Sequence, residues 1–142
     1  MARILIVEDD GALRNDIADR LAEWGHEVHQ ASDGKRGFLA IQKHRPDLVL
    51  SDISMPSGSG FELVNRVRGC GLDYANMPFL FLSASSERKS VVFGMHSGAD
   101  DYIVKPIDYR TLKKTIDEHL KRKAGWQGTL TKWFVRSRPN AA

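Results

Sequence analysis

The sequence holds one cysteine, Cys70, among its 142 residues, so no disulfide can form within the chain. A lone thiol suits a reducing cytosol, and a cytoplasmic location is expected. No apolar run approaches the ~20 residues that a membrane-spanning helix requires. The N-terminus lacks the apolar core of a signal peptide. Internal repeats and low-complexity tracts are also missing. The length fits one domain around a single core. Hydrophobic residues make up 42% and charged residues 27%, the ordinary balance of a globular protein.

The pI near 9.1 suggests a nucleic-acid partner until the charge is located. Lys121, Arg122, Lys123, Lys132, Arg136 and Arg138 lie in 121–142, where no acid occurs. Without them, residues 1–120 carry 15 basic and 18 acidic side chains. The body is mildly acidic and the tail basic. No direct contact of the body with nucleic acid is expected.

What is present is an alternation of short apolar runs and helical patterns. Ile4-Leu5-Ile6-Val7, Leu48-Val49-Leu50, Phe79-Leu80-Phe81-Leu82 and Tyr102-Ile103-Val104 are non-alternating, as strands buried on both faces should be. A weaker strand is expected near 27–31. Leu13, Ile17, Leu21 and Trp24 make one helical face, and Gly25 closes that helix. Further helices are expected from Gly34 to about Lys43, from about Phe61 to Val67, over 86–97, and through Leu112, Ile116 and Leu120. Residues 68–78 read as a loop. Repeated strand–helix–strand units give a parallel sheet with helices on both faces.

The polar residues fall where these strands end, and ligands of open α/β sheets bind there. Glu8, Asp9 and Asp10 follow the first strand, Asp52 the third, Ser83 the fourth and Lys105 the fifth. Asp10 reads as a helix cap. Glu8, Asp9 and Asp52 would converge, and three carboxylates so close need a cation between them. Hard oxygen ligands without a histidine or cysteine cluster point to Mg²⁺. Beside a metal, Asp52 can act as a nucleophile toward phosphorus. Lys105 offers a fixed positive charge to phosphoryl oxygens, and Ser83 a hydroxyl donor. A lone serine or lysine here is an ordinary surface residue; the combination argues for a site.

These motifs together resemble the receiver domain of two-component response regulators. They are Ile4 to Asp9, Asp47 to Pro56, Gly60-Phe61-Glu62-Leu63, Leu82-Ser83-Ala84 and Gly98 to Pro106. The resemblance covers about residues 2–121. It implies a flavodoxin-like (βα)5 doubly wound sheet of five parallel strands in the order 2-1-3-4-5. It implies that Asp52 accepts a phosphoryl group from a phosphohistidine on a histidine kinase or histidine phosphotransfer protein. Asp9, Asp52 and the Ser54 carbonyl would bind Mg²⁺ directly, and Glu8 through a metal-bound water. Lys105 would pair with Asp52 and then with the phosphoryl oxygens. Ser83 and the Ala84 amide would contact the phosphoryl group. Ser83 and Tyr102 would form the switch, and Lys105-Pro106 would be a cis peptide. The output would be a changed affinity for a protein target or a second copy. It would act through the face of the helix over 86–97, the fifth strand and the last helix. Two positions depart from the commoner pattern: Glu8 stands in place of aspartate and Ser83 in place of threonine. The loop from Ser57 to Gly60 reads as unusually flexible.

Residues 1–122 are thus expected to form the receiver and 123–142 a basic, aromatic tail. Trp126, Leu130, Trp133 and Phe134 have helical spacing, so the tail could add a helix. A stand-alone receiver and the N-terminal part of a longer regulator are both compatible with the sequence. Two other functions compete. A metal-dependent phosphohydrolase also uses an aspartyl phosphate, but usually needs an acid two residues after the nucleophile, where Ser54 stands. A phosphate-independent interaction module would not require the acid set with Ser83 and Lys105.

Overall fold

The computed structural model describes residues 1–55, 58–84, 92, 95–96 and 98–122. Five parallel strands form one sheet: β1 Arg3–Val7, β2 Glu27–Ala31, β3 Leu48–Asp52, β4 Phe79–Ala84 and β5 Asp101–Lys105. Their order is β2-β1-β3-β4-β5, as the resemblance implied. Helices come between them, among them α1 Gly11–Glu23, α2 Gly34–His44, α3 Gly60–Arg68 and the single turn α4 Leu72–Ala75. A further helix, α5, covers residues 109–122. None of the described helices is long and apolar enough to cross a membrane.

The pleat divides each central strand between two cores. Leu5, Val7, Val49, Phe79 and Phe81 point to one face, against Phe38 and Ile41 of α2 and Leu63, Val64 and Val67 of α3. Ile4, Ile6, Leu48, Leu50, Leu80 and Leu82 point to the other, against Ile17 and Leu21 of α1 and Leu112 and Ile116 of α5. Double-sided burial therefore holds for β1, β3 and β4. It does not hold for the edge strand β5, where Ile103 is buried but Tyr102 and Val104 are each 44% exposed. The apolar run predicts cover on both faces; an edge position leaves one side of it open.

Local chemistry sets the helix ends. The Asp10 carboxylate accepts from the Ala12 and Leu13 amides, so its expected role as a cap is met. Asp33 caps α2 and Ser59 caps α3 in the same way. After α2, Arg45 takes a left-handed φ of 46°, and Pro46 then prevents the helix from continuing.

The segment read as a loop over 68–78 contains α4. Its carbonyls are gathered by Arg68 at the end of α3. The guanidinium donates to the Tyr74 and Met77 carbonyls at 2.9 and 2.6 Å and to the Gly98 carbonyl at 2.9 Å. It also donates to the Asp100 carboxylate at 2.9 Å, which accepts from the Phe79 amide in turn. One side chain thus joins α3, α4 and the entries to β4 and β5. On the other side of the sheet, buried His119 of α5 meets Asp101 at 3.0 Å and ties that helix to β5.

Residues 92, 95 and 96 are helical, in line with the helix expected over 86–97. The rest of that expectation, and the whole of the tail over 123–142, lies outside the described residues.

Candidate functional site

The site sits where β1, β3, β4 and β5 end. The apolar runs suggested that the strands stop before their polar residues. Backbone pairing instead carries on through them: Asp52 lies opposite Leu82, Ser83 opposite Val104, and Ala84 opposite Lys105. The sheet itself therefore fixes Asp52, Ser83 and Lys105 as ladder residues. Glu8 follows β1 directly, and its amide donates to the Ala31 carbonyl at 3.1 Å.

Glu8, Asp9 and Asp52 come together, with one carboxylate oxygen from each lying within 4.8 Å of the others. Glu8 and Asp52 are buried, and Asp9 is exposed. The Lys105 ammonium lies 2.8 Å from the Glu8 carboxylate and 3.3 Å from that of Asp52. The expected pair between Lys105 and Asp52 is present, and the nearer contact is to Glu8. A glutamate carries its carboxylate one methylene further than an aspartate, which gives it this reach.

Burial is the main force on these charges. It pushes the Glu8 carboxyl from an ordinary 4.5 up to about 7. The Lys105 hydrogen bond opposes the rise, while the Asp52 charge and hydrogen bonds with Asp9 and Asp52 add to it. Asp52 is raised by burial as well, against the pull of its hydrogen bond with Glu8 and the Lys105 charge. Burial alone would lower Lys105, but its bond to Glu8 and the Asp52 charge hold it above its usual value. The lysine stays charged beside two acids that carry more negative charge than it can offset.

The other expected residues surround this centre. Ser83 is buried in β4, and its hydroxyl donates to the Ala84 carbonyl at 3.0 Å. Ser54 is exposed, two residues past Asp52. Tyr102 is exposed on β5. The Lys105-Pro106 peptide is cis, as the resemblance implied.

Two residues have roles at the site that the sequence does not display. The sequence places Gly60 in a flexible loop, whereas it opens α3 and its amide donates to the Ile53 carbonyl at 2.8 Å. A Cβ there would lie 2.5 Å from the Asp52 carbonyl oxygen and 3.1 Å from the Phe81 ring. What matters is close approach to the backbone of Asp52, not freedom of motion. Arg14, on the first turn of α1, donates to the Glu8 carbonyl at 2.7 Å. Its local sequence shows only a basic residue near a helix start.

Fold and geometry agree with what similarity to known proteins shows. The family model of the response regulator receiver domain matches residues 4–117. The chain belongs to the response regulator receiver domain family. The transcriptional regulatory protein AfsQ1 of Streptomyces coelicolor is 37% identical over 122 residues, 86% of this chain and 52% of that protein. Protein PilH of Pseudomonas aeruginosa is 34% identical over 117 residues, 82% of this chain and 96% of PilH. The structure of the chemotaxis response regulator CheY4 of Vibrio cholerae matches with a TM-score of 0.78 at 34% identity, covering 84% of this chain and 98% of that one. The chain spans about half the length of the curated relatives it matches first.

Proposed function

We propose that the chain is a phosphorylation-switched signalling domain of a two-component system or phosphorelay, with Asp52 as the phosphoryl acceptor. The observation that carries this reading is the meeting of Glu8, Asp9 and Asp52 within 4.8 Å, with the Lys105 ammonium against two of them. These groups come from three strand ends spread over nearly 100 residues. The receiver is proposed to occupy 1–122, with 123–142 as its tail.

The donor set fits Mg²⁺: carboxylate oxygens without histidine or cysteine, and a surplus of negative charge. Asp9, Asp52 and the Ser54 carbonyl would hold the ion, with Glu8 beside it. When bound, Mg²⁺ offsets the charge of the acids and of the incoming phosphoryl group. In the transfer, an Asp52 carboxylate oxygen attacks phosphorus, the bond to the donor histidine nitrogen breaks with its electron pair going to that nitrogen, and the donor, protonated on its other ring nitrogen, leaves as neutral imidazole. Lys105, already near Asp52, stabilises the charge on the phosphoryl oxygens. Hydrolysis of the acyl phosphate returns the carboxylate, so the chain promotes only its own phosphorylation and dephosphorylation. The donor would be a histidine kinase or histidine phosphotransfer protein.

Signal output needs a second conformation that the phosphoryl group favours. Ser83 would turn its hydroxyl from the Ala84 carbonyl to a phosphoryl oxygen, and Tyr102 would turn inward behind it. The exposed apolar side chains of Val92, Met95, Tyr102 and Val104 support an output face around β5. A protein target or a second copy would bind there. Fluorotyrosine NMR with beryllofluoride as the phosphoryl mimic tests the switch. The Tyr102 resonance, identified with Tyr102→Phe, is expected to shift in the wild type and not in Asp52→Asn. A mimic that binds without moving it would contradict this part of the proposal.

The raised Glu8 carboxyl gives a pH prediction. A group near 7 when folded and near 4.5 when unfolded favours the fold while protonated. In metal-free protein this stabilisation is present below about 4.5 and is lost as pH rises through about 7. The cation needs the deprotonated acid. Mg²⁺ affinity should therefore rise with pH, by up to about tenfold per unit, and level off above about 7. Mg²⁺ titrations across this range check it, and a flat profile would contradict it.

A further inference from the structure

We infer that Arg14 is a positioning residue for the acidic pair, acting through the peptide unit that joins Glu8 to Asp9. The β1–β2 ladder ends at the pair Val7 and Ala31, so Glu8 lies just past its last register pair. Among the contacts that hold the chain there, three bear on the backbone around Glu8. The Glu8 amide donates to the Ala31 carbonyl, and the Asp10 amide donates to the Glu8 carboxylate at 3.3 Å. The third is the Arg14 guanidinium on the Glu8 carbonyl at 2.7 Å. That carbonyl belongs to the peptide plane between the two acids. With the plane before it held at the Glu8 amide and the plane after it held at the Asp10 amide, fixing this plane sets the directions in which the Glu8 and Asp9 side chains leave the backbone.

The guanidinium is itself held. Its Nε donates to the Gln30 side-chain oxygen at 3.0 Å, on β2. A planar fork holds donors in fixed directions toward two acceptors that diverge. The chain Gln30–Arg14–Glu8 carbonyl thus carries the register of β2 into the acidic loop beyond the last strand pair. The inference rests on the reading of Glu8, Asp9 and Asp52 as a cation site.

Positioning and simple electrostatics predict opposite signs. Arg14 is a cation, so by charge alone its removal should tighten the binding of Mg²⁺ nearby. Loss of positioning should weaken it, by about tenfold for a residue that orients metal ligands. The experiment is calorimetric titration of the chain with Mg²⁺ alone, with melting temperatures measured in metal-free buffer. Arg14→Met is expected to weaken Mg²⁺ about tenfold at little cost in melting temperature. Arg14→Lys, which can still reach the Glu8 carbonyl, should recover most of that loss. Gln30→Ala leaves the charge unchanged and should weaken binding by about threefold. The double variant should bind no more weakly than Arg14→Met, because Gln30 acts through Arg14. Unchanged or tighter binding in Arg14→Met would overturn the inference, as would additive losses in the double variant. If Arg14→Met folds poorly, the Gln30→Ala result alone decides, and affinity equal to the wild type overturns it. A wild-type chain that binds no Mg²⁺ would overturn the cation-site reading and this inference with it.

Discussion

Replacing Lys105 with alanine is expected to slow phosphoryl transfer to Asp52 by about a hundred- to a thousandfold, the usual loss when a fixed donor to developing charge is removed. The ammonium sits 2.8 Å from Glu8 and 3.3 Å from Asp52, and both acids are buried. Without it, two buried carboxylates lose the cation that holds both of their proton affinities down. The variant should therefore hold a proton on the pair at neutral pH and lose nucleophile as well as stabilising charge. Lysine sits above its ordinary value, so its contribution to folding is complete at neutral pH and fades only at strongly alkaline pH. Arginine at 105 should not restore the rate, since a planar fork does not replace a compact charge between two acids. The check is the initial rate of phosphoryl incorporation from a small-molecule donor, followed by intact mass. A loss of less than about threefold would remove Lys105 from the mechanism.

Arg68→Ala is expected to destabilise the fold by about 4 kcal/mol, because four acceptors lose their shared donor. Tyr74, Met77 and Gly98 each lose a backbone contact, and Asp100 loses its cation. A stranded buried acceptor costs about 1–3 kcal/mol. Asp100 is 42% exposed, so its ion pair is screened and adds little. Water can reach some of the freed carbonyls, which keeps the total below the simple sum. Against a typical stability of about 5–15 kcal/mol, the variant would be close to unfolding or well short of wild type. Arg68→Lys should recover only part, since one ammonium cannot serve four divergent acceptors. Asp100→Asn should cost much less. Urea denaturation of the three variants measures this, and a loss under about 1 kcal/mol for Arg68→Ala would contradict the bridging role.

The same contrast explains what could be read from the sequence. β1, β3 and β4 were legible because both of their faces are buried, which leaves unbroken apolar runs. The acids and Lys105 were legible because chain order alone brings parallel strand ends together. Edge strands were less so: β5 has an apolar run but only one covered face. The apolar runs stop short of Asp52, Ser83 and Lys105, while the strands continue through them, because backbone pairing ignores side-chain polarity. Arg14 and Arg68 left no signature of their role, since a charged residue on a helix is ordinary until its acceptors are known. Those of Arg68 at Gly98 and Asp100 lie 30 and 32 residues away. The reach of Glu8 to Lys105 spans 97 residues and depended on a methylene that the sequence displays without showing its direction.

The most direct test of the central claim is to treat the chain with a small-molecule phosphoryl donor and Mg²⁺, then locate the acyl phosphate by borohydride reduction and peptide mass analysis. Incorporation is expected to stop at one phosphoryl group per chain, on Asp52, labile to hydroxylamine and absent from Asp52→Asn. Modification at another residue, or equal incorporation in Asp52→Asn, would contradict the account.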